Sequence, residues 1–310
     1  MFSAGIGQIN VIRGGMKMDV WHRIGRIIRI SNLGTLIFFL LNITLLYFIL
    51  FPYGITTEYA VLMLALYGIT VLISFSPVGE WVLATFAGAK EIKRRDIKIR
   101  LIPLLEIVFE QAKEKTPSMV SSIHLKLIRD PAPNAFAIGR KTICVTEGLL
   151  NLSDGEIIAV FAHELGHLAY KHTAIHLLIG GGNAFIAGCL LLIKLACWMI
   201  TAVFTLFAID SRRLGRGLIV TLVGSISTAS IWLWTKFCML FLMWSMRQNE
   251  YVADEYAFQL GYGTILASVL DKHMCSAPEN GLLKALYATH PHSDDRIARL
   301  QELGAEYSRY

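Results

Sequence analysis

Charge is scarce in this sequence. Lys, Arg, Asp and Glu make up 17% of the 310 residues, against about 25% in an average soluble domain. With 55% hydrophobic residues and a mean hydropathy of +0.53, the composition excludes an ordinary soluble globule and points to a membrane protein. Cysteine is sparse too. Cys144, Cys189, Cys197, Cys238 and Cys275 are odd in number and offer no C-x-x-C spacing. Three lie in apolar tracts, so they read as small hydrophobes rather than as disulfides or metal ligands. Internal repeats and low-complexity stretches are lacking. Residues 1–32 also lack the apolar core and small-residue cleavage site of a removable signal peptide, so the first apolar segment is expected to stay as an anchor.

What is present is a set of long apolar runs. Residues 33–57 and 59–79 carry no charge, and each is long enough for the roughly 20 residues that cross a bilayer core. Pro52-Tyr53-Gly54 separates them, which predicts a transmembrane hairpin over 33–80 behind a basic segment at 1–32. Two further tracts, 177–209 interrupted by Lys194 and 217–246 interrupted by Lys236, predict a second transmembrane or re-entrant hairpin over 177–246. About four transmembrane helices follow, with 90–176 and 247–310 left for a water-facing domain. Arg13, Lys17, Arg23, Arg26 and Arg29 precede the first hairpin, and Lys90, Lys93, Arg94, Arg95, Lys98 and Arg100 follow it. Both flanks are expected on the cytoplasmic side. The net charge of +6 is then a matter of topology, and no nucleic-acid partner is expected. The turn at 210–216 fits less well: it would lie outside, yet it carries Arg212, Arg213 and Arg216. A shallow or re-entrant second hairpin therefore stays open.

The water-facing part has its own pattern. Residues 101–116 read as an amphipathic helix ended by Pro117, followed by strands at 123–128, 134–138 and 142–146. Gly139-Arg140-Lys141 joins the last two as a hairpin. An exposed strand edge beside a catalytic helix can pair with an extended peptide; an ordinary small sheet is the plainer alternative. After Gly261, helical segments are expected at 263–275, 281–288 and 293–303.

Residues 163–167 read His-Glu-Leu-Gly-His, behind the capping-box signal Ser153-Asp154-Gly155-Glu156. Positions four apart share a helix face, so His163 and His167 can hold one zinc ion while Glu164 acts as general base on water. A polar helix stretch with histidines bonded to neighbours is the bland alternative. His172 and His176 lead into an apolar segment and read as interfacial rather than as ligands. A third ligand is needed. A histidine six residues after His167, the solution of one zinc-protease subclass, is ruled out because that position is Thr173, and Tyr170 stands where its glycine would be. Glu250 is the candidate: it is four residues before Asp254 in Asn-Glu-Tyr-Val-Ala-Asp, so Glu250 can ligate while Asp254 accepts the outer N–H of a ligand histidine. A solvated acidic face is the alternative for that pair. In Thr289-His290-Pro291-His292-Ser293-Asp294-Asp295-Arg296, a turn cap and a surface pairing of Arg296 with Asp294 or Asp295 are the plain readings.

His-Glu-Leu-Gly-His, a hydrophobic pair, Asn-Glu-Tyr-Val-Ala-Asp, then Thr-His-Pro with Arg-Ile shortly after resemble the HtpX-type membrane zinc endopeptidases, which are gluzincins related to the CAAX prenyl proteases. The order matches from roughly residue 35 to 300, including Asn134-Ala135-Phe136-Ala137. The resemblance implies a mainly α membrane protein whose gluzincin-like protease domain holds a small β-sheet. It implies one Zn2+ per chain on His163, His167 and Glu250, with Glu164 catalytic. It further implies that Asn134, Ala135, Phe136 and Arg296 bind substrate at the cleft and that His290 steadies the oxyanion. The expected partners are the lipid bilayer and membrane-protein or unfolded polypeptide substrates, met from a multi-pass position in the cell's inner membrane with the catalytic domain in the cytoplasm. A CAAX-type or other specific processing protease, an intramembrane protease, and a metal-stabilised scaffold without activity are the competing readings.

Overall fold

The computed structural model describes residues 32–50, 56–173, 211–273 and 291–309, with scattered helical residues between 188 and 203. The break at Pro52-Tyr53-Gly54, the glycines at 180–182, the helix expected at 281–288 and His290 all lie outside the described residues. The chain runs α1 (Leu33–Leu50), α2 (Thr57–Phe75), α3 (Pro77–Phe86), β1 (Lys90–Glu91), α4 (Arg95–Lys115), β2 (His124–Ile128), β3 (Ala135–Ile138) and β4 (Thr142–Thr146). A 3-10 turn (Glu147–Asn151) then leads into α5 (Asp154–Ala169), α6 (Ser211–Gln259), α7 (Gly263–Lys272) and α8 (Ser293–Glu302).

Helix α5 carries the His-Glu-Leu-Gly-His run and is the centre of the core. Its start is fixed reciprocally: the Ser153 hydroxyl accepts from the Glu156 amide, and the Glu156 carboxylate accepts from the Ser153 amide at 2.9 Å. Every residue from Ile157 onward except Ile158 is buried. Helix α4 packs on it with Leu101, Leu105, Val108 and Ala112, one face at helical spacing. On the far side lies the lower half of α6. The approach there is close because Gly166 has no side chain. A Cβ at that position would sit 3.0 Å from Ala253 Cα and 3.1 Å from Tyr256 Cβ. Tyr256 then ties α6 to the end of α4, donating to the Ala112 carbonyl at 3.1 Å.

The sheet has the order β1-β2-β4-β3, with β2 and β4 parallel and the other neighbours antiparallel. β3 is therefore an edge strand, flanked on one side by β4 and over part of its length by α5. The turn after it depends on Gly139, whose φ of 63° is left-handed. A short β1 pairs with β2, a strand too brief to leave a pattern in the sequence.

Two boundaries differ from the expectation. The segment 211–216 is helical, not a turn, and α6 continues without a break for 49 residues. The division at 246–247 between apolar hairpin and catalytic domain thus falls inside one helix. Hydropathy changes there; the backbone does not. Helix α4 also begins earlier than residue 101 and accommodates Pro103 on its exposed side. Among the described residues no single helix is long and apolar enough to cross a membrane. The segments Ala65–Ser74 and Pro77–Phe86 reach that only together, bent by 66°.

Candidate metal centre

His163 and His167 lie one turn apart on α5, and Glu250 faces them from α6 across the contact that Gly166 permits. All three are buried. The two Nε2 atoms are 3.2 Å apart, and Glu250 brings one carboxylate oxygen within 3.5 Å of His163 Nε2 and the other within 3.4 Å of His167 Nε2. Two donors held about 2.0–2.1 Å from one zinc ion at the tetrahedral angle lie about 3.3–3.4 Å apart. The three pairs bracket that value, so the donors converge as three corners of a zinc tetrahedron would. Among the described residues, this is the group of metal-ligating side chains whose atoms gather within 4.8 Å of one another.

Charge makes the same point. Glu164, Glu250 and Asp254 are three buried carboxylates, and Arg296 is the buried cation among them. With the imidazoles neutral, two negative charges are left over, a costly arrangement in a low-dielectric interior. A divalent cation neutralises it. Burial by itself would lower the His163 pKa, but its hydrogen bonds to Asp254 and Glu250 outweigh that and carry it to about 10. The carboxylates thus demand positive charge at the position that an ion would fill.

Each histidine is held from behind. Asp254 Oδ1 lies 2.9 Å from His163 Nδ1 and accepts its proton, which leaves Nε2 with a free lone pair for the ion. His172 does the equivalent for His167, with the two Nδ1 atoms 3.2 Å apart. His172 is fully buried and stacks on Tyr170, ring centroids 5.8 Å apart. It is interior, not interfacial, and it is the site residue that sequence reasoning missed. The signal was its spacing of five from His167: just past the end of α5, where Lys171 turns the chain back with φ 59°.

Arg296 is also more deeply engaged than the sequence suggests. It sits on α8 and grips Asp254 with two parallel bonds, Nε to Oδ2 at 2.7 Å and Nη2 to Oδ1 at 2.6 Å. Its Nη1 lies 3.1 Å from Glu250 Oε2. The partners are these two carboxylates on α6, not the adjacent Asp294 or Asp295. Burial raises the Asp254 pKa, but Arg296 and His163 more than offset it and hold the carboxyl below its usual range. His292 caps α8, its Nδ1 accepting from the Asp294 amide.

Glu164 lies on α5 beside the edge strand, with Ala137 lining the same cleft. Burial pushes its pKa up; the two histidines pull the other way without cancelling the rise. A carboxylate of raised pKa beside a metal is suited to taking up a proton. Asn134, Ala135 and Phe136 line the wall of the same cleft, about 430 Å³ in volume, with Glu164 and the metal donors along its floor. Asn134 is stitched into the sheet, its amide donating to Thr146 Oγ1 at 2.8 Å and its carbonyl accepting from the Thr146 amide. Pro291 and Arg296 reach the cleft from the C-terminal side.

Residues 104–304 match peptidase family M48. The chain is 29% identical over 248 residues to the protease HtpX homologue of Tropheryma whipplei strain Twist, covering 71% of this chain and 78% of that protein. It is 33% identical over 207 residues to the HtpX homologue of Sulfurovum sp. strain NBC37-1, covering 58% of this chain and 68% of that one. Among solved structures, Ste24p of S. mikatae aligns over 83% of this chain and 61% of its own, at 18% identity and a TM-score of 0.47. The matched region runs from α4 through α8 and contains both metal-bearing helices, Glu164 and Arg296; the chain belongs to peptidase family M48, as an HtpX-type member.

Proposed function

We propose that the chain is a zinc-dependent endopeptidase anchored in a membrane, which cleaves extended segments of membrane-protein or unfolded polypeptide substrates. The observation that carries this reading is the convergence of His163, His167 and Glu250 beside a buried Glu164, under an open strand edge. A bound zinc ion would act as Lewis acid and bring the pKa of its water toward about 7. The rest is the work of the chain's own groups. A peptide aligned along β3 would use main-chain hydrogen bonds to hold its scissile bond over the cleft. Glu164, with its raised pKa, accepts a proton from the attacking water and returns it to the leaving amine. Asp254 and His172 keep the two imidazoles in the tautomer that offers Nε2. Arg296 balances Asp254 and Glu250. His290, just before the cleft residue Pro291, is proposed as the oxyanion partner.

The membrane part of the reading rests on the charge-free runs and their basic flanks, which favour a cytoplasmic catalytic side. Four spans, a site in the cell's inner membrane and a role in removing misfolded membrane proteins belong to the same proposal. The test is cleavage of an unfolded protein by the detergent-purified full chain. Cleavage should need zinc, stop with a chelator and be absent in Glu164→Gln, which keeps its zinc. Cleavage by a metal-loaded Glu164→Gln variant at the wild-type rate would overturn the assignment. For the cellular role, membrane-protein fragments should differ between wild-type and Glu164→Gln cells; identical patterns would remove it.

A further inference from the structure

Helix α3 is amphipathic in the wrong direction for water. Its ten residues, Pro77–Phe86, contain a single charged side chain, Glu80, and that one is turned inward. The Glu80 carboxylate accepts from Thr142 Oγ1 at 2.5 Å and from the Arg140 amide at 3.3 Å, so it fills the turn between β3 and β4. A Cβ on Gly139 would collide with it at 2.6 Å. One turn on, Ala84 is buried against Ile138 and Cys144. The rest of the helix surface is mainly apolar and bare: Val78, Trp81, Leu83 and Phe86 are exposed, Trp81 at 61% and Phe86 at 87%, and the exposed Thr85 hydroxyl is bonded back to the Trp81 carbonyl at 2.8 Å. A helix facing water buries its apolar side and exposes its charges. This one reverses the rule.

We propose that the outer face of α3 lies in the headgroup–acyl boundary of the bilayer, with lipid as its partner. The inference rests on the membrane reading above. Three features favour lipid over another protein. First, α3 continues from the apolar helix α2 but leaves its direction at a bend of 66°. Second, at 1.5 Å per residue it spans about 15 Å, half of a hydrocarbon core, so it can lie in the interface but cannot cross. Third, it is followed at once by exposed Lys90, Lys93, Arg95 and Lys98, which suit anionic headgroups (Arg94, between them, is paired with Asp96), while Trp81 is the residue type enriched at that depth. The consequence is mechanical. Glu80 fastens the turn between the edge strand β3 and β4 to a lipid-seated helix, and Thr173, donating to the Gly139 carbonyl at 2.5 Å, fastens the same turn to the segment that follows α5.

The test uses the full chain in liposomes of phosphatidylcholine and phosphatidylglycerol. Spin labels on single cysteines at Leu66, Trp81, Phe86 and Lys98, in a background without native cysteine, are read for collision with oxygen and with a water-soluble nickel chelate. The labels at Trp81 and Phe86 should favour oxygen and report a depth between Leu66 in α2 and Lys98. Nickel access at Trp81 and Phe86 equal to that at Lys98, with Leu66 still in lipid, overturns the proposal alone. Protection of both from both reagents also overturns it, in favour of a protein partner or a second copy. Nickel access at Leu66 as well overturns the membrane reading together with this one. A second measurement keeps all native cysteines: Trp81→Tyr should lose a share of the tryptophan emission quenched by brominated lipid. An unchanged quenched share overturns the proposal.

Discussion

Arg296 stands between two acidic side chains that share its guanidinium, and its removal isolates both. Breaking a buried ion pair from one side costs about 3–5 kcal/mol, because the remaining charge has no water to return to. Arg296→Met is therefore expected to lower the thermal unfolding midpoint of the detergent-solubilised protein strongly. Arg296→Lys should recover little, since an ammonium cannot reproduce the paired contacts to Asp254. His172 makes a milder prediction. Loss of a hydrogen-bond partner behind a metal-bound histidine typically weakens metal affinity 10–100-fold, so His172→Ala should raise the zinc dissociation constant by about that factor in a chelator competition. His172→Asn, which retains an acceptor, should lie between Ala and wild type; equal affinities for all three would remove the role. Sequence spacing made His163, His167, Glu164, Glu250 and Asp254 legible, because each pair sits within one helix and its geometry follows from 3.6 residues per turn. It could not reveal the partners of Arg296 or His172. Those depend on which helix crosses which: the motif placed Arg296 at the cleft, but its partners there are Asp254 and Glu250 of another helix rather than the neighbouring Asp294 or Asp295.

Two element contacts carry the site, and each has a weak point. The first is the crossing of α5 and α6 at Gly166. Even one added methyl meets backbone atoms of Ala253 and the Cβ of Tyr256, neither of which is a flexible tip, so the helices must part. Overpacking of this kind costs about 1–3 kcal/mol. Gly166→Ala should lower both stability and zinc occupancy at limiting metal, since parting the helices separates Glu250 from the histidines; metal analysis of the purified variant checks it. The second is the C-terminal strap, where Asp271 on α7 accepts from the Tyr307 hydroxyl at 2.6 Å and from Arg309 Nε at 2.9 Å. The Tyr307 hydrogen bond, joined by Arg309, holds the Asp271 carboxyl below its usual range. A depressed carboxyl contributes stability above its unfolded pKa of about 3.9 and loses it as pH falls through the lower folded value. The gap in unfolding midpoint between wild type and Asp271→Asn should thus be widest near neutral pH and close below about pH 4. Elements of this size were readable where a cap or turn residue marked them, as at Ser153 and Gly139. The two-residue β1 carried no such mark.

At the scale of the whole molecule, α6 is the member that joins the apolar part to the chemistry. It is one helix over 49 residues, with Cys238, Leu242 and Met243 packed against Phe38 of α1 and with Glu250 and Asp254 two to four turns further on. The sequence suggested a boundary at 246–247 because hydropathy drops there, yet Arg, Gln and Glu are good helix formers and no Gly or Pro interrupts the stretch. A change of solvent along a helix need not be a change of structure. The position of the C-terminal part of α6 is therefore set at two points, by Gly166 on α5 and by Gly34 on α1. At Gly34 the approach is closer still, since a Cβ would fall 2.1 Å from the Phe241 carbonyl oxygen and 2.9 Å from the Trp244 ring. A backbone carbonyl inside a helix cannot turn aside, so any side chain at residue 34 must push α1 and α6 apart. Gly34→Val is expected to lower the unfolding midpoint and to reduce zinc retention during dialysis, although residue 34 belongs to neither metal-bearing helix. Leu40→Ala on the same helix, at a side chain 62% exposed, should change neither. Equal behaviour of the two variants would mean that the metal site is held by α5, α7 and α8 alone, and that α6 does not transmit the packing of α1 to Glu250.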